Sequence, residues 1–300
     1  MTRRRKREAL EGVLFASPWL IGFVLFTVGP MLASFLLSFT RWDGITPMSE
    51  LRWTGMENYS RLIRLDPSFR KALHNTVFYA LFSVPLGMVT ALSLALLLNQ
   101  RVRGLAFFRT VFYLPSVVSG VATAMLWQWL FNPSFGGVNW VLRRLHLPEP
   151  GWLTDEHTAI WVFILMSVWG VGNAMLIYLA GLQGVPEHLY EAAALDGAGP
   201  ASRFRHVTLP ILTPTLFFNL VMAIIGSFQV FTSAYVMTEG GPNEATLFYV
   251  LYLYQKAFEQ FQMGYASAMA WILFAIVLSL TLLVLRSSKS WVYYEGERAG

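Results

Sequence analysis

The sequence has no cysteine and little charge. Because Cys is absent from all 300 residues, a disulfide scaffold, a thiolate metal site and a thiol nucleophile are excluded. Charged residues make up 13% of the chain, whereas a soluble domain has roughly 25%. Hydrophobic residues reach 55%. This balance indicates that much of the chain faces lipid rather than water.

The sequence also lacks the motifs of an ATPase or a hydrolase. Each of its four lysines follows a residue other than glycine, so no Walker A loop is present to hold phosphates. The five histidines are dispersed, and neither HExxH nor GxSxG occurs. We therefore predict no catalytic residue, no metal site and no cofactor bound by this chain. The net charge of +5 comes from scattered basic residues, which argues against a nucleic-acid partner.

Six intervals without Asp, Glu, Lys or Arg are long enough to cross a bilayer. A crossing helix needs about 20 mostly apolar residues. The intervals are 12–40, 72–100, 110–142, 157–186, 206–238 and 260–285. They predict an all-α, polytopic membrane protein with six transmembrane helices. The first interval is too long for the apolar region of a signal peptide, about 7–15 residues, so we expect a retained span. The run 245–255 is too short to cross and is predicted as an interfacial or loop segment.

The distribution of basic residues predicts the orientation. Residues 3–7 are all Arg or Lys, and the positive-inside rule places such a flank in the cytoplasm. With that orientation, 13 of the 22 basic residues fall on the inner side. The predicted organisation is a cytoplasmic N-terminus at 1–11, a membrane domain at 12–285 and a cytoplasmic C-terminus at 286–300.

The cytoplasmic segment between the fourth and fifth spans, residues 184–210, has the pattern of two short helices joined by a turn. Pro186 suits the first turn of a helix, and Glu187 favours its positive end. Gly197 suits the left-handed conformation that ends many helices. Gly199-Pro200 then begins a second helix. The prediction is a helix-turn-helix elbow at the inner membrane face.

Within this elbow, EAAALDGAGPASRFRHVTLP resembles the EAA motif of ABC-importer permeases. In that family the motif forms the coupling helix that docks in a groove of the ATPase subunit. The resemblance implies that Glu191 is a polar anchor and that Gly197 forms the turn. The full set of implied coupling residues is Glu191, Ala192, Ala193, Asp196, Gly197, Leu209 and Pro210. The alternative is an ordinary amphipathic loop helix.

Further segments resemble the carbohydrate-importer branch of these permeases, at 17–43, 53–63, 103–139, 240–258 and 263–268. The resemblance implies a bacterial cell-membrane protein that contributes the transport pathway but not the ATPase. The implied partners are a second homologous permease, two ATPase subunits that bind ATP and Mg²⁺, an extracytoplasmic solute-binding protein and a sugar or related polyol.

Neutral polar residues in spans four and five are candidates for contact with a hydroxyl-rich solute. The candidate pathway residues are Gly170, Asn173, Tyr178, Asn219, Ser227 and Gln229. Hydrogen bonding between helices is the alternative role for each of them. The spans lack ionisable residues at their centres, which disfavours an ion-coupled carrier. A self-sufficient secondary transporter and a structural membrane subunit remain the rival interpretations.

Overall fold

The computed structural model describes residues 3–100 and 103–293, with side chains from Gly12 onward. The predicted terminal segments 1–11 and 286–300 therefore lie partly outside the described residues. The all-α prediction is confirmed: in the described part of the chain the only sheet is a two-stranded antiparallel pair. Its strands are β1 (Thr40–Arg41) and β2 (Arg52–Trp53).

The described residues form fifteen α-helices. They are α1 (Arg3–Phe23), α2 (Gly29–Leu37), α3 (Glu57–Leu65), α4 (Pro67–Leu98), α5 (Leu105–Val117), α6 (Gly120–Leu130), α7 (Gly137–Arg144), α8 (Ala159–Trp169), α9 (Gly172–Gln183), α10 (Glu187–Leu195), α11 (Pro200–Arg203), α12 (Leu209–Ser227), α13 (Thr232–Met237), α14 (Tyr249–Tyr254) and α15 (Met263–Trp291). Turns of π-helix at Val24–Val28, Phe204–Thr208 and Gln255–Glu259 extend three of these elements.

Four continuous helical segments and two bent pairs match the six charge-free intervals. The continuous segments are Gly12–Leu37, Pro67–Leu98, Pro200–Ser227 and Met263–Trp291. The bent pairs are α5 with α6, at 98°, and α8 with α9, at 41°. By length and composition residues 3–100 and 103–293 therefore contain up to six membrane-crossing segments, if each bent pair is one span.

The third segment begins earlier than its charge-free interval, because α5 includes Arg109. The Arg109 guanidinium donates a hydrogen bond of 3.3 Å to the carbonyl of Leu98. Leu98 is the last residue of α4, where unpaired carbonyls favour a cation. A prediction based on intervals without charged residues ends each span at an arginine. It therefore misses an arginine such as Arg109, which is accommodated by a carbonyl at the end of a neighbouring helix.

The chain divides into two compact units. The first comprises residues 1–66 and 253–274. In this unit Trp271 Nε1 donates to Ser34 Oγ at 3.2 Å, and the Trp271 ring packs edge-on to Phe35. The Asn58 amide donates to the carbonyls of Ser38 and Thr40. These contacts join the first span, the following loop and the start of α15.

The second unit comprises residues 67–252 and 275–300 and is organised around α4. Helices α8, α9 and α12 pack on α4. Ala91 and Ala95 of α4 are fully buried, and their small side chains allow α9 and α12 to approach closely. The packed core of this unit therefore lies along one face of α4. The unit also contains the predicted elbow and the fourth and fifth spans, which hold the candidate functional residues.

The prediction for residues 245–255 is wrong in one respect, because part of this run forms a buried helix. Tyr249 and Leu251 of α14 are fully buried. The backbone N–H of Tyr249 donates to Thr76 Oγ1, and the Asn75 amide donates to the carbonyls at positions 244 and 247. The run is too short to cross a membrane, but it packs on α4 as part of the core.

Candidate coupling surface and solute cleft

The predicted elbow is present between the fourth and fifth membrane segments. Helix α10 begins at Glu187, and Pro186 is its extended N-cap residue (ψ 130°) rather than part of its first turn. The helix ends at Leu195 with Asp196 as its C-cap residue, and Gly197 adopts φ +77°. The N–H of Gly197 bonds the carbonyl of Ala194, and the N–H of Ala198 bonds that of Ala193 at 2.9 Å. This pair of bonds is a Schellman motif, in which the left-handed residue favours glycine.

Side-chain hydrogen bonds hold the second half of the elbow against the first. Arg203 Nε donates to the carbonyl of Ala198 at 2.8 Å. The hydroxyls of Tyr190 and Thr208 are 2.9 Å apart, which links α10 to the π-helical turn before α12. The elbow is therefore a built structure that continues directly into a membrane-crossing helix.

The outer surface of the elbow is accessible. Glu191, Ala192 and Asp196 are exposed, and Gly197 has open space around it. Leu195, which the motif comparison did not select, has 91% of its side chain exposed. The accessible surface of the elbow therefore combines one apolar side chain, Leu195, with the carboxylates of Glu191 and Asp196.

The predicted coupling residues therefore fall into two groups. Glu191, Ala192, Ala193, Asp196 and Gly197 belong to α10 and its turn. Leu209 and Pro210 are half-buried at the start of α12, where Pro210 occupies one of the first helical positions. The first group forms a surface, and the second joins that surface to the membrane helix.

A cleft of about 200 Å³ lies between α4, the bend from α8 to α9, and α12. Three predicted pathway residues line it: Gly170, Asn219 and Ser227. Asn219 Nδ2 donates to the carbonyl of Thr215 and Ser227 Oγ to that of Ile224. One amide N–H of Asn219 and the hydroxyl proton of Ser227 are used within α12, so the two side-chain oxygens and the second amide N–H of Asn219 are the groups left to bond a solute.

The cleft also contains polar residues that the sequence reasoning missed. Tyr79 and Ser83 of α4 and Ser167 of α8 line its wall. The predicted pathway residues come only from the two spans that flank the elbow, so none lies in α4. The four-residue spacing of Tyr79 and Ser83 nevertheless puts both side chains on one face of α4.

The other three predicted pathway residues lie elsewhere in this unit. Tyr178 is fully buried in an apolar cluster with Met175 and Leu212, and its hydroxyl has no hydrogen-bond partner among the described residues. Asn173 and Gln229 are exposed and do not line the cleft. The helical periodicity of α9 explains why Asn173 lies outside the cleft. Adjacent residues of a helix occupy different faces, and in α9 it is Ala174 that lines the cleft.

The bend between α8 and α9 depends on a close approach of α9 to α5. A Cβ on Gly172 would lie 2.9 Å from the carbonyl oxygen of Phe112 and 3.0 Å from Tyr113 Cα. Because backbone cannot move aside as a flexible side chain can, any larger residue would push the helices apart. Gly172 therefore fixes the wall of the cleft beside Gly170.

A second cavity, of about 500 Å³, lies in the first unit and is strongly charged. Arg41, Arg52, Arg61, Asp43 and Glu57 are among its lining residues. Arg41 pairs with Glu57 at 2.7 Å. Hydrogen bonds from the N–H groups of residues 46 and 45 lower the pKa of the Asp43 carboxyl below its ordinary value, so Asp43 stays ionised at neutral pH. The cavity is therefore lined by both arginine and carboxylate side chains from the segment that follows the first span.

Comparison with known proteins identifies the class to which this fold and these surfaces belong. Residues 83–291 match the family described as binding-protein-dependent transport system inner membrane component. The chain belongs to this family. It is therefore a membrane-embedded transport component and not the ATPase of its transport system.

Two relatives and one solved structure align over nearly the whole chain. The chain is 44% identical to the probable ABC transporter permease protein YesP of Bacillus subtilis (strain 168), covering 99% of this chain and 96% of that protein. It is 34% identical to the trehalose/maltose transport system permease protein MalF of Thermococcus litoralis, covering 95% and 96%. It shares its fold with a chain of a bacterial ABC transporter involved in the import of the acidic polysaccharide alginate, with a TM-score of 0.83, 24% identity and coverage of 96% and 99%.

Proposed function

We propose that the chain is a permease subunit of an ATP-binding-cassette importer and forms, with a second homologous permease, the membrane path for a sugar. The observation that carries the proposal is the exposed elbow at 186–208, which continues into α12, one wall of the polar cleft. Force applied to the elbow is thus applied to a helix that lines the path. The names of the relatives, which include arabinooligosaccharide and trehalose/maltose permeases, favour a saccharide as solute.

The elbow is the proposed docking surface for an ATPase subunit. Two such subunits would bind ATP and Mg²⁺, and this chain would bind neither. The small side chains of Ala192 and Ala193 let a partner approach the α10 backbone, Leu195 supplies apolar contact, and Glu191 and Asp196 supply charge. Such a combination of a central apolar anchor with a polar rim is typical of specific protein interfaces.

The size and chemistry of the cleft support a path shared with a second permease. Its volume of about 200 Å³ is below the roughly 300–1,000 Å³ of most ligand pockets. A facing subunit would complete it. The lining side chains are hydroxyls, one amide, and small or apolar groups, with no ionisable carboxylate or amine. This chemistry suits a neutral solute that carries many hydroxyls.

The proposed orientation places the elbow and both termini in the cytoplasm of a bacterial cell. The charged cavity lined by Arg41, Arg52 and Arg61 then faces outward, where an extracytoplasmic solute-binding protein would deliver the sugar. The basic N-terminal flank supports this topology.

A substitution in the cleft tests the proposed path. Asn219→Leu keeps the side-chain size but removes the amide group of a residue that lines the cleft, so we expect the KM for sugar uptake to rise roughly fivefold, the value of one hydrogen bond of about 1 kcal/mol. The measurement is initial uptake rate against sugar concentration in vesicles that contain the whole transporter. The matched control is Asn173→Leu on the exposed face of α9. Equal KM values for the two variants would contradict the assignment of the cleft.

A further inference from the structure

A third cavity, of about 350 Å³, lies in the second unit and is not part of the cleft. It is lined by side chains from the first four turns of α4, from the start of α8 and from the residues before α8. The members used below are Lys71, His74, Phe78, Glu156, His157 and Trp161. The cavity thus combines aromatic rings with groups that donate and accept hydrogen bonds.

The aromatic part of the cavity is a fixed platform. The Trp161 ring is held by Phe78, at 5.6 Å and 84°, and by Phe82, at 5.2 Å and 59°. His74 stacks on Phe78 at 6.3 Å. Although two rings hold the indole in place, 40% of the Trp161 side chain is exposed. Because the indole is already held in one orientation, a ligand that stacks on it loses little side-chain entropy on binding.

The polar rim of the cavity is also connected. Lys71 Nζ donates to the carbonyl of Asn243, and Asn243 Nδ2 donates to Glu156 Oε2 at 2.9 Å. His157 Nε2 lies 3.7 Å from the other oxygen of Glu156. The rim thus carries one ammonium, at Lys71, and one carboxylate, at Glu156, of opposite charge. It presents both hydrogen-bond donors and acceptors, which fits the hydroxyl groups of a neutral ligand.

This cavity and the cleft share the same two helices. The cavity uses residues 71–78 of α4 and 160–161 of α8, and the cleft uses residues 79–88 and 167–170. At 1.5 Å per helical residue, their centres are separated along α4 by roughly 15 Å. A saccharide of several rings spans that distance, whereas a monosaccharide does not.

We propose that this cavity is an outer sugar subsite in which a neutral pyranose ring stacks on Trp161 and its hydroxyls bond the rim at Lys71, Glu156 and His157. The inference rests on the proposed function and narrows it, because occupancy of both sites requires an oligosaccharide. The apolar C–H face of a sugar ring matches an indole face, and the rim supplies the polar contacts that orient it.

The test is uptake by the complete transporter in vesicles, with the saccharide that wild type takes up from a panel of neutral mono-, di-, tri- and tetrasaccharides. For Trp161→Ala we expect the KM for tri- and tetrasaccharides to rise about fivefold or more through loss of stacking, with Trp161→Phe intermediate. The control Trp129→Ala removes an indole that is 60% exposed on α6 and should leave the KM unchanged. Assembly of each variant with its partners is checked by co-purification.

The outcomes separate this subsite from the function on which it rests. If wild type takes up a saccharide and Trp161→Ala matches wild type at every chain length, the subsite is overturned and the importer stands. The subsite is also overturned if assembled Trp161→Ala and Trp161→Phe complexes both lose uptake to the same extent. A stacking platform tolerates another aromatic ring, so the phenylalanine variant should keep part of the uptake. If wild type takes up no saccharide of the panel, both the sugar path and the subsite fail.

Discussion

Replacing Leu195 with aspartate is expected to abolish ATP-driven uptake by releasing the ATPase subunits. Leu195 is 91% exposed at the end of α10, and its turn is fixed by the Gly197 Schellman motif. In a groove of a partner, a carboxylate in its place would be desolvated without a counter-charge. Loss of a central anchor of an interface costs about 2 kcal/mol or more, a fall in affinity of roughly 30-fold.

Co-purification of the complex in mild detergent measures this effect. We expect the Leu195→Asp chain to retain the second permease and to lose the ATPase, and its membranes to show no ATP-dependent uptake. Leu65→Asp makes the same change at a leucine that is 75% exposed at the end of α3, in the loop region between the first and second spans. In the proposed orientation that loop is external, so this control should keep the ATPase. A Leu195→Asp complex with a full complement of ATPase would remove the elbow as the docking surface.

Filling the cleft is expected to give the opposite pattern, in which assembly is intact and uptake is lost. Ala223 lies on the wall of the cleft, on the same helix as Asn219 and Ser227. An indole at this position would occupy much of the cleft volume of about 200 Å³. Because the elbow is untouched, the Ala223→Trp chain should bind its ATPase normally.

Uptake and ATPase retention, measured on the same preparation, test this expectation. For Ala223→Trp we expect an uptake rate below a tenth of wild type, an order-of-magnitude loss, since the solute no longer fits. Met222→Trp is the matched control, because Met222 is the preceding residue of α12 and is 53% exposed. Normal uptake by Ala223→Trp, or equal losses in both variants, would show that the solute passes elsewhere.

Much of the fold follows from charge and apolar length. Lipid excludes unpaired charge, so the six intervals without ionisable residues locate the six segments. The same rule fails where tertiary contacts decide: Arg109 enters α5 because Leu98 at the end of α4 offers a carbonyl, and the bends within two spans have no counterpart in hydropathy. The buried α14 is a second case, since its burial depends on Asn75 and Thr76 of α4.

The two candidate surfaces differ in how well the sequence predicts them. The elbow is local, and its turn depends on residues close together in the chain, so Pro186 and Gly197 were sufficient to predict it to within one residue. The cleft joins three distant helices, and a list of polar residues cannot tell which face each one occupies. Asn219 and Ser227 line the cleft while Asn173 does not, and Ser83 of α4 was missed.

The most direct test of the central proposal is uptake of labelled saccharide into sealed vesicles, with this chain present alone or with its second permease, ATPase subunits and binding protein. We predict accumulation only with all partners and ATP, and none with this chain alone under an ion gradient. Accumulation by the chain alone would contradict the proposal and identify a self-sufficient carrier.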